Sequence, residues 1–161
     1  ASVHAGVPVL EAVNALSEFK GVRRRMTKIG EANGITLYDD FAHHPTAIRL
    51  TLQGLRNQMK QTARPGRLIA VFEPRSNTMR LGVHKDTLPQ AFVDADAVYA
   101  FIDPAWNWQL PTDAFSQSVK VENSYDDLLN TLAKELQADD QVVMMSNGSF
   151  GGLHQKLFER L

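Results

Sequence analysis

The five residues Leu68-Ile69-Ala70-Val71-Phe72 are apolar without interruption, and a polar segment beginning Glu73-Pro74-Arg75 follows at once. A strand with one wet face alternates, whereas a run apolar at every position is buried on both faces. Burial on both faces is the mark of a parallel sheet, whose crossovers lay helices over each side. Ala97-Val98-Tyr99-Ala100-Phe101-Ile102 and Gln141-Val142-Val143-Met144-Met145 extend the pattern, and Ile35-Thr36-Leu37-Tyr38 and Ser118-Val119-Lys120-Val121 read as further strands. Between them lie helical stripes. Pro45 suits the first turn of a helix burying Ile48, Leu52, Leu55 and Met59. Leu88, Phe92 and Ala95 mark a second, and Tyr125, Leu128, Leu129, Leu132 and Leu136, capped by Ser124, a third. Leu153, Leu157 and Leu161 mark the last.

Near the start, Leu10, Val13 and Leu16 suit a short helix beginning at Pro8, broken by Phe19-Lys20-Gly21. Ala32-Asn33-Gly34 is a hairpin turn joining Met26-Thr27-Lys28-Ile29 to the strand that ends at Asp40. The order β-hairpin, α, β, α, β, β, α, β, α predicts an α/β fold: an open, mostly parallel, twisted, Rossmann-like sheet with helices on both faces and an N-terminal β-hairpin.

A chain of 161 residues fits one ordinary domain. With a formal net charge of -1 there is no basic excess to suggest nucleic acid, and no apolar run is long enough to suggest a membrane span. The absence of cysteine excludes disulfides and thiolate metal sites and suits a reducing, cytoplasmic setting. The start Ala1-Ser2-Val3-His4 has neither an initiator Met nor a secretory signal, so the expectation is a piece of something longer.

Chemistry concentrates where strands end and helices begin, the usual ligand position in such folds. Asp39-Asp40-Phe41-Ala42-His43-His44-Pro45 places two carboxylates and two imidazoles at one such junction. Because His43 and His44 are neighbours, they point apart, and no metal ligand set is assigned. Arg23-Arg24-Arg25 reads either as a solvated edge or as a cationic partner brought near by the hairpin. Glu73 to Met79 forms a second polar loop, and Asp103 to Trp108, with both tryptophans, a third. In Ser146-Asn147-Gly148-Ser149-Phe150-Gly151-Gly152, glycines let backbone N–H groups approach an anion, although no Walker A pattern is present.

Together these segments resemble the C-terminal domain of the Mur ligases, the ATP-dependent enzymes that build the peptidoglycan peptide. Phe19-Lys20-Gly21-Val22-Arg23-Arg24-Arg25 is similar to the family's F-x-G-x-x-R-R opening, and Asp39 to Pro45 to its D-D-Y-x-H-H-P segment. Glu73 to Met79 and Ser146 to His154 resemble most the branch that joins UDP-N-acetylmuramate to the tripeptide L-alanyl-γ-D-glutamyl-meso-diaminopimelate in cell-wall recycling. The UDP-N-acetylmuramate–L-alanine ligase branch is the alternative. A metal-dependent phosphoesterase built on the Asp and His cluster is a more distant one. The resemblance implies residues 1–18 as the tail and hinge of a central ATPase domain, with 19–161 as the C-terminal domain, inactive alone.

The same resemblance implies ATP and Mg2+ as cofactors, held mainly by that central domain, with UDP-N-acetylmuramate and the murein tripeptide as substrates. It also implies the central and N-terminal domains as partners. It assigns Arg25 to the nucleotide phosphates and ribose and Asp40 to the ribose hydroxyls, with His43 and His44 positioning the nucleotide. Arg75, Asn77 and the loop Ser146, Asn147, Gly148, Gly151 and Gly152 are the candidates for the tripeptide, whose carboxylates need a cation and backbone donors.

Overall fold

The computed structural model describes residues 3–18, 22–63 and 66–161. Among them are helix α1 (Val9–Ser17), hairpin strands β1 (Thr27–Ala32) and β2 (Ile35–Asp40), and helix α2 (Pro45–Gln61). Then come β3 (Leu68–Phe72), two one-turn helices α3 (Asn77–Arg80) and α4 (Leu88–Ala91), β4 (Ala97–Phe101) and β5 (Ser118–Glu122). Helix α5 (Tyr125–Glu135), β6 (Gln141–Met145) and α6 (Leu153–Arg160) complete the chain.

The strands form one sheet in the order β1-β2-β6-β3-β4-β5, in which β1 and β2 are antiparallel and all other pairs parallel. The hairpin turns at Asn33 and Gly34, both with positive φ (+49° and +78°), the conformation that a two-residue turn between twisted strands requires. The apolar runs behave as expected, since every residue of β3, β4 and β6 is buried. Leu68, Ala70, Phe72, Val143 and Met145 meet Ile48, Leu52, Leu55 and Met59 of α2 on one face. Ile69, Val71, Val142 and Met144 meet Leu128, Leu132, Leu153 and Leu157 of α5 and α6 on the other.

The chain therefore winds both ways. Helix α2 leaves β2 over one face, α6 leaves β6 over the opposite face, and β2 and β6 are neighbours. Helices that diverge from adjacent parallel strands leave a crevice beyond the strands' carboxyl ends.

One expectation is corrected. The helix expected across Leu88, Phe92 and Ala95 is one turn, although all three residues are buried. Pro89 offers no N–H, and Ala95 closes a tight turn onto Phe92 O (2.8 Å), so the stripe is buried by successive turns. Helix α1 forms as expected after Pro8, and it buries nothing: Leu10, Val13 and Leu16 are 72, 54 and 69% exposed. The break expected at Phe19-Lys20-Gly21 lies outside the described residues, as do Arg64 and Pro65 in the turn before β3. Among the described residues, no helix is long and apolar enough to cross a membrane.

Asp40, the last residue of β2, is 2% exposed and ties three segments together. Its carboxylate accepts from Met26 N (2.8 Å) before β1, Ala42 N (2.8 Å) in the following loop and Thr51 Oγ1 (3.3 Å) in α2. Removing it strands the buried Ala42 N–H and the half-buried Met26 N–H, and a buried donor left unsatisfied costs about 1–3 kcal/mol. Asp40→Ala is thus expected to lower the unfolding free energy of this chain by at least about 2 kcal/mol, a fall in Tm of about 4 °C or more. Thermal and urea unfolding followed by circular dichroism would measure it. An unchanged midpoint would mean that the loop is held without this carboxylate.

Candidate functional site

Strands β2, β6 and β3 are in register at their carboxyl ends, with Asp40 and Phe72 both opposite Met145. The pairing continues one step beyond, through Ser146 N to Asp40 O (3.2 Å) and Glu73 N to Met145 O (3.0 Å). Asp39, Ser146 and Glu73 are brought together in this way from three distant parts of the sequence.

Arg24 enters from the hairpin side. Its Nε lies 3.2 Å from Asp39 Oδ2, and its Nη2 donates to the Ser146 carbonyl at 2.7 Å, tying the end of β2 to the loop after β6. Its backbone is left-handed (φ +56°), as is that of Met26 (φ +49°). That conformation costs an L-residue about 1–2 kcal/mol. Arg24 N to Thr27 Oγ1 (2.9 Å), Phe41 N to Arg24 O (2.8 Å) and Met26 N to Asp40 hold the turn in place. Arg25 is exposed, its guanidinium 5.8 Å above the Phe41 ring, and it makes no ion pair among the described residues.

On the far side of the crevice, Glu73 is 2% exposed yet well supplied with donors. Ser146 Oγ donates to one oxygen, Tyr125 Oη to the other at 2.5 Å, and Arg75 Nη1 stands 3.6 Å away. Burial, then the hydrogen bond to Glu73, pushes the Tyr125 phenol well above its ordinary pKa. It therefore stays a donor. Arg75 lies flat over Gly148, where a Cβ would come within 2.3 Å of its Cδ. Any side chain at 148 would displace the guanidinium.

The other candidates fall as follows. His43 turns its Nδ1 back to Phe41 O (2.8 Å), and exposed His44 caps α2 by accepting from Thr46 N and sets its ring edge-on to His84. The two imidazoles point apart. Asp40 was expected to accept ribose hydroxyls, yet it already holds three protein donors, which leaves Asp39 as the more accessible carboxylate of the pair. Asn77 is exposed at the start of α3.

In the glycine-rich loop, the Gly148 N–H serves Ser146 Oγ (2.9 Å) and the Gly152 N–H serves Ser149 O (3.0 Å), so these two donors do not face outward. Gly151 (φ +58°) lies against the Tyr125 ring. Asn147 Oδ1 is buried without a partner.

Sequence reasoning passed over His154, Tyr125 and Glu73 as parts of the site. His154 Nε2 is 3.2 Å from Asp39 Oδ1, though not aligned for a linear hydrogen bond. Burial pushes its pKa below the ordinary value, with Asp39 pulling it up and Arg24 pulling it down. A neutral ring is therefore favoured. Its signal in the sequence was position, in the first turn of the helix after a strand-end loop. Tyr125 had been counted as a helical core position and Glu73 as a loop acid. Only the pairing of β3 with β6 makes either part of the site.

Residues 24–148 match the family described as Mur ligase, glutamate ligase domain. A relative from Escherichia coli (strain K12), UDP-N-acetylmuramate–L-alanyl-γ-D-glutamyl-meso-2,6-diaminoheptandioate ligase, is 45% identical across 100% of this chain, which covers 35% of that protein. The crystal structure of a murein peptide ligase from Psychrobacter arcticus 273-4 superposes with a TM-score of 0.76 at 39% identity, over 99% of this chain and 34% of that one. A domain of a relative from Haemophilus ducreyi 35000HP, crystallised without further domains, matches with a TM-score of 0.69 at 36% identity, over 84% of this chain and 98% of that one. The chain thus spans about a third of the length of the curated relatives it matches. With the match running through most of its length, this chain belongs to the Mur ligase family.

Proposed function

We propose that this chain is the C-terminal domain of a cytoplasmic, ATP-dependent amide ligase that joins UDP-N-acetylmuramate to the tripeptide L-alanyl-γ-D-glutamyl-meso-diaminopimelate. Full-length identity to ligases named for that substrate supports the reading. The observation that carries it is the crevice itself. Two arginines, Arg25 and Arg75, stand on loops to either side of a rigid seam made by Asp39, Arg24, Ser146 and Glu73.

In this reading, the chain positions reactants and a preceding ATPase domain supplies the phosphoryl-transfer machinery. Residues 1–18 fit a hinge, because a helix with Val9, Leu10, Val13 and Leu16 exposed suits packing on another domain. Arg25 takes the nucleotide phosphates or ribose, for which a permanently charged, forked donor with no ion pair among the described residues is suited. His43 and His44 shape the start of α2 beside it. Arg75 receives a tripeptide carboxylate, with Asn77 and Asn147 offering amides nearby. Charge-assisted contacts that hold reactants in line are how such a domain contributes to rate. Among the described residues, no three His, Asp or Glu side chains converge to hold a metal, so no Mg2+ ligand is assigned to this chain.

The test is amide formation by the full-length enzyme from ATP, UDP-N-acetylmuramate and the tripeptide. Ligation of free L-alanine in place of the tripeptide would move the protein to that branch of the family. Arg75→Ala is expected to raise KM for the tripeptide at least tenfold while KM for ATP moves far less. Equal effects on both would place Arg75 at the nucleotide, and no effect would leave it a surface partner of Glu73. Arg25→Ala is expected to do the reverse, raising KM for ATP about tenfold or more, the worth of one charge-assisted contact. Steady-state kinetics with each substrate varied in turn separates the two.

A further inference from the structure

Beside the crevice, along the same edge of the sheet, the loops after β3 and β4 enclose a second concavity of about 340 Å³. Arg80, Leu81, Ala105, Trp106, Asn107 and Trp108 line it. The two indoles lie nearly parallel, 6.4 Å apart and 9° from coplanar, and Trp106 sets its edge against Phe101 of β4. Trp108 donates its Nε1–H to Arg80 O at 2.8 Å, joining the two loops. At Gly82 (φ +69°) a Cβ would stand 2.8 Å from Trp108 Cγ, so the first loop makes room for the indole of the second.

The guanidinium of Arg80 lies 5.7 Å over the Trp106 ring and pairs with no carboxylate among the described residues. Of the two acids in the second loop, Asp103 accepts from Ala105 N (2.9 Å), and neither it nor Asp113 lines the pocket. A guanidinium resting on an indole has its orientation restricted while its N–H edge stays open to a planar anion. Leu81, 78% exposed, adds an apolar wall that a free surface would not favour.

We propose that this pocket is a specificity subsite for the far end of the peptide substrate, with Arg80 clamping a terminal carboxylate while Trp106 and Trp108 cover its aliphatic stem. The choice of a carboxylate over a phosphate follows from charge and surface. The lining carries one cation, one neutral amide and otherwise apolar walls, which matches a singly charged group on a hydrocarbon arm. A polyphosphate would bring several charges against one guanidinium. The peptide's identity rests on the function proposed above, but the pocket's preference for a carboxylate on an apolar arm does not.

The chain contains two tryptophans, and both line this pocket, so intrinsic fluorescence reports on it directly. Titration of the chain with L-alanyl-γ-D-glutamyl-meso-diaminopimelate is expected to give a saturable change in emission. The same peptide with its diaminopimelate carboxylates amidated should bind at least tenfold more weakly, as should the natural peptide to Arg80→Met. Arg80→Lys should recover part of the loss. Arg80 is exposed, and an unaltered thermal melt would show that its variants fold.

In the full-length enzyme, Arg80→Met should raise KM for the tripeptide at least tenfold with kcat and KM for ATP unchanged. A saturable response to ADP equal to that for the peptide would overturn the proposal in favour of a nucleotide, as would a peptide response indifferent to amidation or to Arg80. Normal ligation with an unchanged tripeptide KM in Arg80→Met would remove the clamp and leave the proposed function standing. Carboxylate-dependent binding without ligation would do the opposite.

Discussion

The parallel register of β2, β6 and β3 decides which residues of this chain become neighbours. Asp40 and Phe72 both stand opposite Met145, so the next residue out of each strand falls on a common line. A slip of one residue in either pairing would exchange the two faces of a strand and expel its core side chains. The same shift would part Ser146 from Glu73 and Arg24 from the Ser146 carbonyl. The apolar core and the polar edge are thus specified by one set of backbone hydrogen bonds. The core supplies the stability that lets the edge carry buried carboxylates.

Those carboxylates are costly to dehydrate, and each is met by fixed donors. Asp40 takes two backbone N–H groups and a threonine hydroxyl, while Glu73 takes a serine, a tyrosine and, more distantly, an arginine. A buried charge without such partners would shift its protonation or disrupt the fold. The consequence is a rigid seam. Arg24 and Met26 are held in left-handed conformations, and Arg75 is flattened against a glycine. Strain and close approach concentrate at this edge of the sheet, where a binding site needs side chains already in position.

Much of this was legible in the sequence because burial leaves a local trace. Uninterrupted apolar runs disclosed β3, β4 and β6, Asn33-Gly34 disclosed the hairpin, and Pro45 disclosed the start of α2. The chemistry of the loop ends was visible as residue type but not as direction. Which of Arg23, Arg24 and Arg25 turns inward depends on two positive φ angles that no arginine or methionine advertises. Whether Asp39 or Asp40 stays open depends on strand pleat together with a threonine eleven residues on. The stripe Leu88, Phe92 and Ala95 had the spacing of a helix, and burial alone satisfied it without one. Helix α1 shows the converse: a regular apolar stripe says that a face seeks cover and does not say where the cover comes from.

The order of the strands also sets a scale for what the edge can hold. Neighbouring strands lie about 4.8 Å apart, so β2 and β4 are separated by about 14 Å across β6 and β3. Along that line the character of the edge changes. Near β2 it offers arginines, an accessible carboxylate and the start of a long helix. At β3 it offers Arg75 above Gly148, and at β4 a cation among aromatic walls. An extended peptide advances about 3.3–3.6 Å per residue, so three residues cover about 10 Å. Under the function proposed above, a tripeptide laid from the loop after β3 towards that after β4 has room beside a nucleotide at β2. The two need not compete for the same donors. Separation of a highly charged end from a more apolar one lets a single small domain hold two unlike ligands side by side, and the register of the sheet maintains that separation.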